Sequence, residues 1–113
     1  MNGKSTRFYS SRQEKTIAKN LQGKTTPNSG ATPFIKGDVG TEQFLIEAKT
    51  CTKEQQSFSI KKEWLDKLKE EAFAMGKPYY ALAFTFDGSA RKLNNYYIIN
   101  EATFKVLIAM LED

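Results

Sequence analysis

Apolar residues along this chain recur at two different periods, and the points where the period changes divide it into elements. Ile17, Ala18 and Leu21 fall at helical spacing, with Arg12, Lys15 and Lys19 on other faces, which predicts a helix opening near Ser11 with Ser10 or Ser11 as its N-cap. From 22 to 36 the pattern stops. Gly23, Pro27, Asn28, Ser29, Gly30 and Pro33 are loop chemistry. A short glycine-punctuated segment (34–41) and a run that is apolar and β-prone at its centre (43–50) then predict two antiparallel strands with a tight turn near Glu42. After a polar loop, Ser59 is expected to cap a helix over 60–75, whose stripe is Ile60, Trp64, Leu65, Leu68, Ala72 and Met75 and whose stop is Gly76 with Pro78. Its outward lysines, Lys61, Lys62, Lys67 and Lys69, alternate with Glu63, Asp66, Glu70 and Glu71, the pattern of a solvated face. Residues 79–86 read as a buried strand, 87–95 as a turn and 96–99 as a shorter strand. Asn100 then caps a last helix, whose Phe104, Leu107, Ile108 and Leu111 pack on the sheet or on a partner. The order is helix, hairpin, helix, strand, strand, helix, which predicts an α/β domain: a small mixed β-sheet flanked by helices.

With 113 residues, 40% of them hydrophobic, there is chain enough for one core and not for two. No apolar run is long enough to span a bilayer, and residues 1–10 carry no signal-type hydrophobic stretch, so a soluble, cytoplasmic protein without membrane partners is expected. Charge is uneven. Residues 1–36 hold seven basic side chains against Glu14 alone, a balance of +6, whereas the remainder holds ten basic against twelve acidic, a balance of −2. A basic end on a near-neutral body is the footprint of a polyanion binder, and residues 1–10 read either as a flexible basic arm that binds a polyanion or as a solubilising tail ahead of a single domain over 11–113.

The single cysteine, Cys51, excludes an intrachain disulfide, and the absence of histidine excludes Cys/His zinc sites and histidine-based triads. Any hydrolysis must rest on carboxylates, lysine and a metal. The hairpin supplies candidates. If Glu42 and Gln43 form a two-residue loop, Gly40 faces Leu45, Val39 faces Ile46 and Asp38 lands opposite Glu47, with Cβ atoms about 5 Å apart. A loop longer by one residue would set Asp38 beside Glu47 instead. Side chains alternate along a strand, so Glu47 and Lys49 share a face while Ile46 and Ala48 turn to the core. Two facing carboxylates repel, and a hard divalent cation resolves that conflict: Mg2+, with Mn2+ as a substitute, takes oxygen ligands and keeps water and phosphate in its shell. Asp38 and Glu47 suit it, and the Ala48 carbonyl can add a third ligand. An acid and a Glu-x-Lys on adjacent strands also occur on solvated sheet faces as plain cross-strand charge pairs.

Asp38 followed by Glu47-Ala48-Lys49 resembles the PD-(D/E)XK nuclease superfamily, with Gly37 in place of the usual proline. The arrangement is closest to the archaeal-type Holliday-junction resolvases, which it matches in order through Arg12-Gln13-Glu14-Lys15 opening a helix, Asn28-Ser29-Gly30-Ala31 in a loop, Asp38, and Glu47-Ala48-Lys49. The resemblance covers the first half closely and the second half only as topology. It implies a restriction-endonuclease-like domain that hydrolyses phosphodiester bonds in branched DNA. It further implies Glu14, Asp38, Glu47 and Lys49 as catalytic residues, and a metal on Asp38, Glu47 and the Ala48 carbonyl with Glu14 in reach. Glu14 also reads as an acid favoured in a helix's first turns by the dipole. Arg7, Arg12, Lys15, Ser29, Gly30, Lys36 and Lys61 are the expected DNA contacts, Ser29 bonding a phosphate and Gly30 allowing close approach. Paired cuts in a four-way junction require a homodimer, through the last helix or the Trp64 helix. The alternatives are a nuclease of the same superfamily with another specificity (restriction-like, repair or virus-encoded DNA degradation) and a non-catalytic nucleic-acid-binding module.

Overall fold

The computed structural model describes residues 6–25 and 38–113. The elements run α1 (Thr6–Leu21), β1 (Lys24–Thr25), β2 (Asp38–Gly40), β3 (Phe44–Lys49), α2 (Lys62–Ala74), β4 (Tyr79–Phe84), β5 (Tyr96–Ile98) and α3 (Glu101–Leu111). The five strands form one mixed sheet in the order β1-β2-β3-β4-β5, antiparallel at every junction except β3 with β4. That parallel pair requires a crossover, and α2 is the crossover. No helix of the described residues is long and apolar enough to cross a membrane.

The first helix opens earlier than its apolar spacing predicts. Thr6 to Ser10 belong to α1, so Ser10 and Ser11 lie inside the helix and part of the expected arm is helical. The apolar stripe begins only at Ile17, which is why periodicity missed the first turns. The helix ends at Gln22, whose φ of 57° is the left-handed value that closes a helix, and Gly23 N–H donates to the Ala18 carbonyl at 2.8 Å. Gly23 leads into β1, a two-residue strand inside the segment expected to be loop throughout. A Cβ on Gly23 would stand 2.8 Å from the Gly40 carbonyl oxygen, so glycine is what lets β1 lie against β2.

The α2 helix starts at Lys62 rather than 60, and Ser59 does not cap it: the N-cap is Lys61, with no side-chain hydrogen bond. Its end follows expectation. Gly76 takes φ 71°, Gly76 N–H donates to the Phe73 carbonyl and Lys77 N–H to that of Ala72, which satisfies the last carbonyls before Pro78. Asn100 caps α3 by accepting from Thr103 N–H at 2.9 Å.

Side-chain alternation divides the core between the two faces of the sheet. Ile17 of α1 packs with Val39, Ile46, Ala81 and Ala83 on one face. Leu68 and Ala72 of α2 pack with Leu45 and Leu82 on the other, supported by Ile60, Trp64, Leu65, Tyr80 and Ile98. The last helix joins neither cluster. Thr103 is its one buried residue, and Met110 and Leu111 are 73% and 85% exposed.

Candidate functional site

The β2–β3 hairpin has the register that a two-residue loop demands: Gly40 pairs with Leu45, Val39 with Ile46 and Asp38 with Glu47. Thr41 N–H donates to the Phe44 carbonyl, and Phe44 N–H returns a bond to Thr41 Oγ1, both at 3.0 Å, which closes the loop around Glu42 and Gln43. The Lys77 ammonium donates to the Glu42 carbonyl at 3.3 Å and fastens that turn to the start of β4.

The same hydrogen bonds orient the backbone. The Phe44 carbonyl faces β2, and the Gln43 carbonyl accepts from Tyr79 N–H on β4, so carbonyls of even-numbered β3 residues turn to β2 and those of odd-numbered ones to β4. Asp38 and Glu47 are therefore a non-hydrogen-bonded pair, the closer kind, with Cα atoms about 4.5 Å apart. Ala48 directs its carbonyl to the side where Asp38 stands.

Asp38 is 6% exposed, and its carboxylate shares the α2 face with Glu47 and Lys49. The Lys49 ammonium lies 3.1 Å from Glu47 Oε2 and 4.2 Å above the Trp64 ring, so one carboxylate and one π face hold it. The third acid comes from α2. Glu71 brings a carboxylate oxygen to the site, and single oxygens of Asp38, Glu47 and Glu71 all lie within 4.8 Å of one another. Glu71 was expected on a solvated face, and the structure corrects this: it sits three residues after Leu68 and seven after Trp64, in the stripe that meets the sheet. That spacing is a signal readable in the sequence, an acid at a core-facing position.

Glu14 is half-buried, in the third turn of α1 rather than its first or second, so the helix dipole has no hold on it. Burial, and then the negative charge of Asp38, raise its carboxyl above the ordinary 4.5, while Arg7 works in the opposite direction. Glu14 therefore senses the site electrostatically but is not one of the three clustered acids.

Beside it, Gln13 is fully buried. Its Nε2 donates at 3.0 Å to both the Lys49 carbonyl and Asn95 Oδ1, tying the end of β3 to the start of β5. Gln13 stands four residues before Ile17, so a polar side chain at core spacing is the signal in the sequence for its burial.

Comparison with protein-family models, curated proteins and solved structures finds no match.

The expected DNA contacts have mixed placements. Arg12 donates to the carbonyls of Gly88 (3.0 Å), Ala90 and Arg91 (2.7 Å), so its guanidinium organises the 87–91 turn. That turn rests on the chain leaving β3: a Cβ on Gly88 would fall 1.8 Å from the Cys51 carbonyl oxygen. Arg7 and Lys15 are exposed on α1, and the Lys61 ammonium sits 5.9 Å above Trp64 at the opening of α2. Cys51 is a buried packing residue whose thiol donates to the Thr85 carbonyl. Ser29, Gly30 and Lys36 lie outside the described residues, as do Asn28, Ala31 and Gly37.

Proposed function

We propose that this chain is a metal-dependent endonuclease of the PD-(D/E)XK type, hydrolysing phosphodiester bonds in DNA with a preference for branched substrates. The observation that carries the reading is the convergence of Asp38, Glu47 and Lys49 on one sheet face through the register of a single hairpin. The succession of α1, the strands that end in β3, the α2 crossover and β4 agrees with that fold type, in which helices cover a small mixed sheet.

The donor set fits a hard divalent cation. Three carboxylates with oxygens this close, one of them almost wholly buried, repel one another unless positive charge stands among them, and all-oxygen sites suit Mg2+ or Mn2+. Asp38, Glu47 and the Ala48 carbonyl would hold the ion, with Glu71 as a further acid. When bound, such an ion supplies an acidified water and polarises a phosphoryl oxygen. The chain supplies the rest. Lys49, held by Glu47 and Trp64, presents a fixed positive charge where negative charge gathers on the phosphate, and the paired strands hold the acids in place before substrate arrives. Glu14 is the accessory acid of the resolvase-like pattern. Symmetric cuts in a four-way junction would need two copies of the chain, and the exposed apolar side of α3 is the surface we assign to that contact.

The test is cleavage of labelled four-way, flapped, single-stranded and linear DNA in Mg2+, Mn2+ or EDTA, with Glu47→Gln beside the wild type. Metal-dependent cutting is expected, reduced at least about 100-fold in the variant while DNA binding persists. Full activity in Glu47→Gln would refute the site. Tight binding without cutting by the wild type would make the protein a non-catalytic module.

A further inference from the structure

Lys49, Phe84 and Tyr96 are paired positions on β3, β4 and β5. Each lies two residues from a neighbour that packs on the α2 side (Glu47 by the acids, Leu82 and Ile98 in the core), so all three side chains stand on the face that carries the acids. Phe84 stacks on Tyr96, with centroids 5.8 Å apart and planes at 28°. Phe58 and Phe86 add ring contacts to Phe84 at 5.0 and 5.4 Å. The result is a row of aromatic faces that begins at the proposed reactive lysine and ends at the sheet edge, where Tyr96 is 46% exposed.

A cluster of rings under loops is ordinarily a satellite core. Two features set this one apart. Its inner end is Lys49, paired with Phe84 and with its ammonium over Trp64, and the loop that leads into β5 carries exposed Arg91 and Lys92, while the acids Glu54 and Asp87 are bridged on the Phe86 side. Aromatic faces beside cations, continuous with a site suited to phosphate, are what an unpaired nucleotide binds. Strands are about 4.8 Å apart, so the row spans about 10 Å from Lys49 to Tyr96, a distance a phosphodiester backbone covers in a couple of extended nucleotides.

We propose that Tyr96, backed by Phe84, is a stacking platform for an unpaired base close to the scissile phosphate, which makes a single-stranded segment the feature of the substrate that this site selects. The proposal rests on the nuclease reading for the identity of that phosphate. A continuous duplex keeps its bases stacked on one another and offers no free face, whereas a flap, a junction arm or a single strand does. Stacking accepts every base, so the platform selects structure and not sequence. Asn94, whose Nδ2 donates to the Tyr96 hydroxyl at 3.1 Å, steadies the ring.

Binding is measured in EDTA, where no cutting occurs, with a fluorescent oligothymidylate and with a blunt duplex of mixed sequence, for wild type, Tyr96→Ala and Tyr96→Phe. Tyr96→Ala is expected to weaken oligothymidylate binding about tenfold, to leave duplex binding within about twofold, and to keep the salt slope, since no charge is lost. Tyr96→Phe keeps the ring and should bind as wild type does. Equal oligothymidylate binding by wild type and a folded Tyr96→Ala would overturn the platform, as would a wild type that does not bind the oligomer. The nuclease reading fails separately: if cutting is absent, or survives in Glu47→Gln, while the Tyr96 effect on binding persists, the platform stands and the hydrolytic site falls.

Discussion

On the α1 face of the sheet, Ile17, Val39, Ile46, Ala81 and Ala83 exclude water, and the nearby polar groups, Gln13 and Arg12, are turned to backbone carbonyls. On the α2 face, Leu45, Leu68, Ala72 and Leu82 share their surface with three carboxylates, a lysine and a row of rings. Both faces rest on the same strands, and alternate residues of β3 serve each in turn. The difference lies in what the polar side chains do. Those on the α1 side bond the chain itself, apart from the buried Gln13 Oε1, while on the α2 side three carboxylates gather beside a single lysine that pairs with Glu47.

Large-to-small substitutions test that contrast most strongly. Ile17→Ala and Leu68→Ala each remove a fully buried side chain and are expected to cost about 3 kcal/mol in urea unfolding. If the proposed cleavage holds, then under conditions where both remain folded Ile17→Ala should keep more of the cutting than Leu68→Ala, since α1 brings only the accessory Glu14. Leu68→Ala should lose activity, because α2 carries Glu71 and Trp64 to the site. Equal loss in both would erase the functional difference between the faces.

Glu71→Gln sharpens the comparison further. It is expected to raise the Mn2+ concentration for half-maximal thermal stabilisation about tenfold, and that for half-maximal cutting likewise. Unchanged metal affinity would return Glu71 to the role of a surface charge.

The smallest effect is at Glu14, the one α1 residue that senses the acids of the other face. Its carboxyl is raised by burial and by Asp38, so its contribution to stability is complete below the ordinary pKa and is lost as pH rises through the raised value. Glu14→Gln has no such proton to lose. In EDTA its Tm should match wild type in acid and lie slightly above it at neutral pH. A Tm difference independent of pH would show that the carboxyl is not perturbed by its surroundings.

The elements whose signals are local were legible in the residues themselves. The stop at Gly76, the Asn100 cap and the helical stripe through Leu68 and Ala72 each depend on neighbours within a turn or two, and each stands where its chemistry put it. Starts without such signals were misplaced. The opening turns of α1 carry no buried apolar residue, Lys61 caps α2 without a side-chain bond, and β1 is held only by pairing with β2.

The site divides along the same line. The sequence by itself put Glu47 and Lys49 on one face through the period of two and set Asp38 opposite Glu47 only for a two-residue loop; the structure shows that loop and that pairing. Only the tertiary structure decided that Glu71 joins them, that Gln13 reaches across 36 residues of chain to the Lys49 carbonyl, and that Lys49, Phe84 and Tyr96 line up across three strands. Those contacts depend on the register of the parallel β3–β4 pair and on the rotation of two helices about their axes. Both are set by how whole faces pack, which no local pattern encodes.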